Sequence, residues 1–189
     1  MNTETQVTPR IFLTDYASYN AGTQFEFGHW VDLDEFSDIE ELNHYIREHF
    51  KDADQRSPLD DFGSIREEIM VTDYEGFPEQ LYCECGSTFE SIFHWMHLES
   101  YDRAKVEYLM EWQGASFSDA LESFEDVILW EYSGPKTDAV YYIFHELYPD
   151  VETIERQNDF LTVDYDRFED QCLIDFADSE GNEYLVLRE

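Results

Sequence analysis

Two short stretches carry residue types that could hold a metal. Cys83-x-Cys85 followed by His94-x-x-His97 offers two thiolates and two imidazoles, the donor types of a structural zinc site. A single residue between the cysteines is tighter than the usual spacing of about two to four. The pair is therefore expected to act as ordinary small residues at a loop-to-helix junction. Asp178-x-Glu180-x-Asn182, with Glu189 beyond it, loosely resembles a calcium loop, but Glu183 stands where such a loop needs glycine for its sharp turn. A hairpin turn at Gly181-Asn182 accounts for that stretch better. There is no HExxH, no GxSxG and no phosphate-cradling glycine loop, and only 8 Gly in total to build one. The 6 His are scattered, without a recognisable nucleophile beside them. Carboxylates are so numerous that any acid–base spacing arises by chance. Neither an enzyme nor a cofactor or metal is expected.

The carboxylates themselves are the outlying feature. The 189 residues hold 45 Asp+Glu against 11 Lys+Arg, a formal charge of −34. Hydrophobic residues make up 42%, with 15 Phe, 13 Tyr and 4 Trp, so cores can form and the acidity does not imply disorder. Such charge opposes compaction. It excludes nucleic acid and anionic membranes as direct partners, because both are polyanions, and it favours basic partners. At one phosphate per about 1.7 Å of duplex, 34 charges match roughly 58 Å of DNA. One compact domain of this length would have a radius of gyration of only about 16 Å, so matching a duplex requires an elongated molecule. A highly soluble acidic protein and a salt-adapted one share the composition. An odd number of cysteines (Cys83, Cys85, Cys172), no secretory signal and no long apolar run predict a reduced, cytoplasmic setting.

The elements that position these residues read as α+β: three small domains in an elongated chain, two mixed sheet-plus-helix units flanking a helical one. After a loose tail over 1–8, the unit 9–75 is expected to hold strands at 10–14, 25–31 and 68–74. Its helix opens at Ser37 with a Ser37/Glu40 capping box and carries Ile39, Leu42, Ile46 and Phe50 on one face. An acidic loop follows over Asp52–Gly63. The unit 76–113 is expected to be wholly helical, with a Ser87/Glu90 capping box, then a helix over 101–112 stopped by Gly114. The unit 114–189 is expected to run through a helix at 117–124, a strand at 127–132, and a Thr137-capped helix stopped by Pro149. A strand at 160–163, an Asp164-capped helix over Phe168 and Cys172, and a strand at 184–187 complete it. Val31–Phe36 and Val163–Phe168 echo each other, which a shared strand-to-helix junction explains without duplication.

Acids fall away from the apolar stripes in all three units. Those expected to face a basic partner are Asp32, Asp34, Glu35, Asp38, Glu41, Glu48, Asp60, Asp61, Asp102, Glu122, Glu125, Asp126, Glu131 and Asp138. A single run of this kind is usually a solvated face; three successive units showing it, with little Lys to offset it, point to a surface meant for a cation-rich partner. Aromatics interleave with acids at Trp130-Glu131-Tyr132 and Tyr141-Tyr142, where an exposed subset could build a dimer seam.

The chain resembles the ArdA-type antirestriction proteins. The resemblance begins at Thr8-Pro9-Arg10-Ile11-Phe12-Leu13 and runs through Tyr19-Asn20-Ala21-Gly22, Gly28–Asp32, Glu67–Glu75, Ser118-Asp119-Ala120-Leu121 and Val163–Phe168. It covers nearly all of the chain from residue 8. It implies elongated three-domain dimers that imitate bent B-form DNA and bind type I restriction–modification enzymes, displacing DNA from the specificity and methyltransferase subunits. It implies carriage on conjugative plasmids and transposons. It also implies an antirestriction motif at the dimer interface, within about Glu125–Tyr142, with Leu129, Trp130, Tyr132 and Tyr141 as interface residues. Trp130 and the turn Gly134-Pro135-Lys136 depart from the family's pattern there, and the tail and the Asp52–Asp61 loop are longer than the family's. The same charge would also suit an acidic chaperone or adaptor for basic DNA- or RNA-binding proteins, which needs no duplex-like geometry.

Overall fold

A computed structural model describes residues 8–158 and 161–188. The chain divides into two compact units, Met1–Arg103 and Ala104–Glu189.

The first unit opens with β1 (Arg10–Asp15), then α1 (Tyr16–Asn20), α2 (Gln24–Phe27) and β2 (His29–Asp32). A 3-10 turn at Leu33–Glu35 leads into α3 (Ile39–Arg56), followed by β3 (Ile69–Glu75). The strands form an antiparallel sheet in the order β2-β1-β3, with Ile11 opposite Val31 on one side and Tyr74 on the other. Ile11, Leu13, Val31 and Val71 are buried, as are Leu42, Ile46, Phe50 and Ala53 of α3 at helical spacing. After a 3-10 turn at Glu79–Leu81, α4 (Phe89–Met96) buries Phe89, Ile92, Phe93 and Trp95, and α5 (Ser100–Trp112) begins.

Four expectations for this unit need correction. The second strand does not start at Phe25: α2 occupies Gln24–Phe27, and the strand begins at His29. Gly28 makes the change of direction possible, because a Cβ there would lie 2.2 Å from the Gln24 carbonyl oxygen and 2.9 Å from the Phe12 ring. The cap of α3 is Asp38 instead of Ser37; its carboxylate accepts from the Glu41 backbone N–H at 2.9 Å. Glu41, not Glu40, reaches back, accepting from Ser37 N (2.8 Å) and Oγ (2.7 Å). The helix also continues through the expected loop start to Arg56, which pairs with Asp52 one turn earlier at 2.6 Å. At α4 the first residue is preceded by Thr88, whose hydroxyl donates to the Leu81 carbonyl at 2.6 Å, so the Ser87/Glu90 box does not form.

The second unit takes up α5 and continues through α6 (Phe117–Ser123), a 3-10 turn at Phe124–Asp126 and β4 (Leu129–Glu131). Next come α7 (Lys136–Leu147), α8 (Val151–Gln157), α9 (Tyr165–Cys172), β5 (Leu173–Ala177) and β6 (Glu183–Leu187). The sheet order is β4-β6-β5, antiparallel, with Leu185 opposite both Trp130 and Asp175. Both faces of this sheet are covered. Leu129, Phe176, Tyr184 and Val186 pack with Ala104 and Tyr108 of α5, while Leu173 and Leu185 pack with Val140, Ile143 and Phe168 of α7 and α9. That is why β6 reads as an unbroken apolar run, Tyr184-Leu185-Val186, all buried.

Asp164 caps α9 as expected, accepting from Arg167 N at 3.0 Å, and the turn at Gly181 (φ +88°) joins β5 to β6. Two readings fail. Pro135, at φ −59°, precedes α7, leaving Thr137 inside the first turn. Residues 161–163 form no strand, and Phe160 lies outside the described residues. Conversely α8 and β5 had no expectation: β5 follows α9 without a linker, its brief alternation masked by the preceding helical pattern.

Candidate partner-binding surface

Charge is shared evenly: the first unit carries 23 acidic and 6 basic residues and the second 22 and 5, so each has a formal charge of −17. Of the fourteen expected acids, Asp32 at the end of β2 and Asp102 in α5 are half-buried, and the other twelve are exposed. In the first unit Asp34 and Glu35 sit on the 3-10 turn, while Asp38 and Glu41 crown the N-terminus of α3. Backbone N–H groups at that helix end favour the negative charges. The Ser37 backbone N–H, and then its hydroxyl, hold the Glu41 carboxyl below its ordinary range. Hydrogen bonds from Ser64, through its hydroxyl and then its backbone, and from the Phe62 backbone do the same for Asp60. These acids are fixed as anions in defined positions. Glu48 is different, because Lys51 donates to both its oxygens at 3.0 Å and neutralises it locally.

In the second unit Glu122, Glu125 and Asp126 are exposed along α6 and its 3-10 extension, Glu131 ends β4, and Asp138 lies in the first turn of α7. Some of the bases are drawn into ion pairs: Lys136 bridges Glu169 (2.5 Å) and Asp175 (2.6 Å) and Arg156 pairs with Glu152, as Arg10 does with Glu75 (2.5 Å) in the first unit. Burial alone would lower the Lys136 pKa, but its two carboxylate partners outweigh that and raise it. Glu40, Asp73 and Glu90 in the first unit and Asp166 and Asp170 in the second are exposed as well. Nothing in their spacing could have separated them from any other solvated carboxylate.

The four expected interface residues divide. The Leu129 side chain is in the core of the second unit. Trp130 is half-buried, with Nε1 donating to Glu146 at 3.0 Å, and Tyr132 is half-buried against the α7–α9 side of the core. Tyr141 is 51% exposed and packs its ring on His145 and Tyr165. Ile128 and Tyr142 beside them are 60% and 63% exposed. β4 is an edge strand.

Among the described residues no group of three or more His, Cys, Asp or Glu could hold a metal ion. His97, which caps the C-terminus of α4, bonds the Phe93 carbonyl through Nδ1 at 2.6 Å. Asp178 closes the β5–β6 turn, accepting from Glu180 N, Asn182 N, Asn182 Nδ2 and Tyr184 OH at 2.9–3.1 Å. Among the described residues no helix is long and apolar enough to cross a membrane.

The family model for antirestriction protein (ArdA) matches residues 11–177, most of the chain. The chain belongs to the ArdA antirestriction family. Membership implies interaction with restriction–modification enzymes, and the ArdA family is one of antirestriction proteins, not a known enzyme family. Searches of curated proteins and of solved structures returned no match. In this ArdA chain the acid-rich surface and the aromatic edge around β4 both fall within the matched residues.

Proposed function

We propose that the chain is a DNA mimic that inhibits type I restriction–modification enzymes. It occupies the channel formed by their specificity and methyltransferase subunits, where duplex DNA would otherwise bind. It works by occupancy, not catalysis, in the cytoplasm, with no nucleic acid or membrane as partner. In this reading the molecule is an elongated homodimer of three-part chains (9–75, 76–113 and 114–189). Trp130, Tyr132 and Tyr141 contribute to the interface, with Leu129 supporting them from the core.

The observation that carries the reading is the pairing of −17 in each unit with twelve exposed acids spread over both units. At one phosphate per about 1.7 Å, 17 charges match roughly 29 Å of duplex. Carboxylates spread in this way meet a basic channel through many weak contacts, which gives fast, salt-sensitive association. The test is competition: the protein is titrated into a type I methyltransferase bound to labelled duplex and the complexes are separated by gel shift. Displacement at low salt that weakens as salt rises is expected. Absence of displacement at low salt overturns the proposal.

A further inference from the structure

The DNA-like surface makes no use of the cysteine pair before α4. Cys83 Sγ and Cys85 Sγ lie 3.1 Å apart, with Cys83 half-buried and Cys85 exposed. The turn that brings them together depends on Gly86, at φ +68°, whose backbone N–H donates to the Cys83 carbonyl at 3.0 Å. A Cβ on Gly86 would meet the Phe89 ring at 2.7 Å, so both the backbone angle and the space call for glycine. Ser87 Oγ–H donates to Cys83 Sγ at 3.2 Å. A hydroxyl donor and a second thiol therefore meet at one sulfur. Two thiols fall short of the four ligands of a structural zinc site. A donor-stabilised, accessible sulfur with a second thiol in contact is instead the arrangement of a peroxide-reactive dithiol.

We propose that Cys83 and Cys85 form a redox modification site, in which Cys83 is oxidised by a hydroperoxide and Cys85 resolves it to an intrachain disulfide. The Cys83 thiolate attacks the peroxide oxygen, the O–O bond breaks, and the departing alkoxide or hydroxide takes up a proton. Cys83 is then a sulfenic acid. The Cys85 sulfur attacks the Cys83 sulfur, the S–O bond breaks, and the hydroxide leaves as water with the Cys85 proton. Two thiols lose two electrons and the peroxide gains them; an external thiol reverses the change. The Ser87 hydroxyl, followed by Cys85, draws the Cys83 thiol down to about 7. A larger share of it is then thiolate at neutral pH than for an ordinary cysteine. The exposed Glu84 lies between the two cysteines, and its carbonyl accepts from Val71 N on β3 at 2.7 Å, so ring closure acts directly on that bond.

The reduced full-length chain is treated with limiting hydrogen peroxide, its remaining thiols are alkylated, and the products are read by intact mass and peptide mapping. The expected product has lost two hydrogen atoms and carries a Cys83–Cys85 bridge, with Cys172 still alkylated and amide exchange at Val71 altered. Cys85→Ser should instead accumulate a Cys83 sulfenic acid that dimedone traps, and Cys83→Ser should give neither product. Oxidation of Cys172 as fast as Cys83, a disulfide between chains, or no oxidation of Cys83 overturns the proposal. Because the three cysteines compete within the unaltered protein, the result does not depend on any variant folding.

Discussion

Asp15 and Asp54 in the first unit meet the Arg66 guanidinium, whereas Asp178 in the second is closed by a hydroxyl, a side-chain amide and two backbone N–H groups. The Arg66 side chain is 4% exposed, pairs with Asp54 at 2.6 Å, and packs over the Phe27 ring. Its contact with Asp15, at 3.4 Å, is an ion pair without a hydrogen bond: Arg66 Nε and Asp15 Oδ2 are both buried and make none. The second unit also holds Glu107, accepting from Ser179 N at 2.7 Å and Ser179 Oγ at 2.9 Å. Equal net charge therefore hides two ways of keeping carboxylates inside. A guanidinium neutralises them but must itself be desolvated. Neutral donors keep the anion at the cost of fixing a turn around it. The first arrangement fails badly when the cation is removed, while the second fails in steps.

Removing Arg66 is the largest test of that difference. Arg66→Ala leaves Asp15 and Asp54 without their cation and should cost about 3–5 kcal/mol in urea denaturation. Amide exchange at Leu13 in β1 should accelerate while Leu185 in β6 stays protected; equal loss in both units would break the comparison. Asp178→Ala should come next, at about 1–3 kcal/mol, with Asp178→Asn recovering part of it, and exchange should rise in β5 and β6.

A pH effect of intermediate size is expected in the first unit. His29 Nδ1 bonds the Phe27 carbonyl at 3.2 Å, its Nε2 bonds Tyr45 OH at 2.5 Å, and the His49 ring lies 4.3 Å away. Burial, reinforced by His49, lowers the His29 pKa despite the Phe27 carbonyl. The folded state then holds fewer protons than the unfolded one, so the contribution is present above pH ~6.5 and is lost as pH falls through the folded value. Denaturation midpoints should fall below that pH, and His29→Asn should flatten the fall; an unchanged slope would assign it elsewhere. The smallest effect concerns the surface acids. Glu122→Gln should weaken competition for a type I methyltransferase by less than about 1 kcal/mol, and Glu48→Gln by less still, because Lys51 already pairs with Glu48. A loss of tenfold or more from either would mean that binding is concentrated at one acid.

The strands at 10–14, 68–74 and 184–187 and the stripes of α3 and α7 were legible because period and residue type agreed. The second strand was not, since Phe25 and Phe27 alternate like a strand while Gly28 permits a helix end that any other residue would block. Nor were α8 and β5, which are short, and in β5's case directly continuous with a helix. The exposure of twelve acids could be read from their distance from apolar positions. Their pairing could not: Lys51 engages Glu48, and Lys136 reaches Asp175 across 39 residues.

The charge, its even spread along the chain and the family were set by the sequence alone, because these depend on residue type and order. Only the tertiary structure decided which carboxylates are exposed and which are held inside by Arg66 or by the 178–184 turn. It also decided that the cysteine sulfurs meet under a Ser87 donor, and that Leu129 lies in the core while Tyr141 faces solvent. Those outcomes depend on distances between atoms far apart in the chain, or on the rotation of a turn, and neither leaves a period in the sequence.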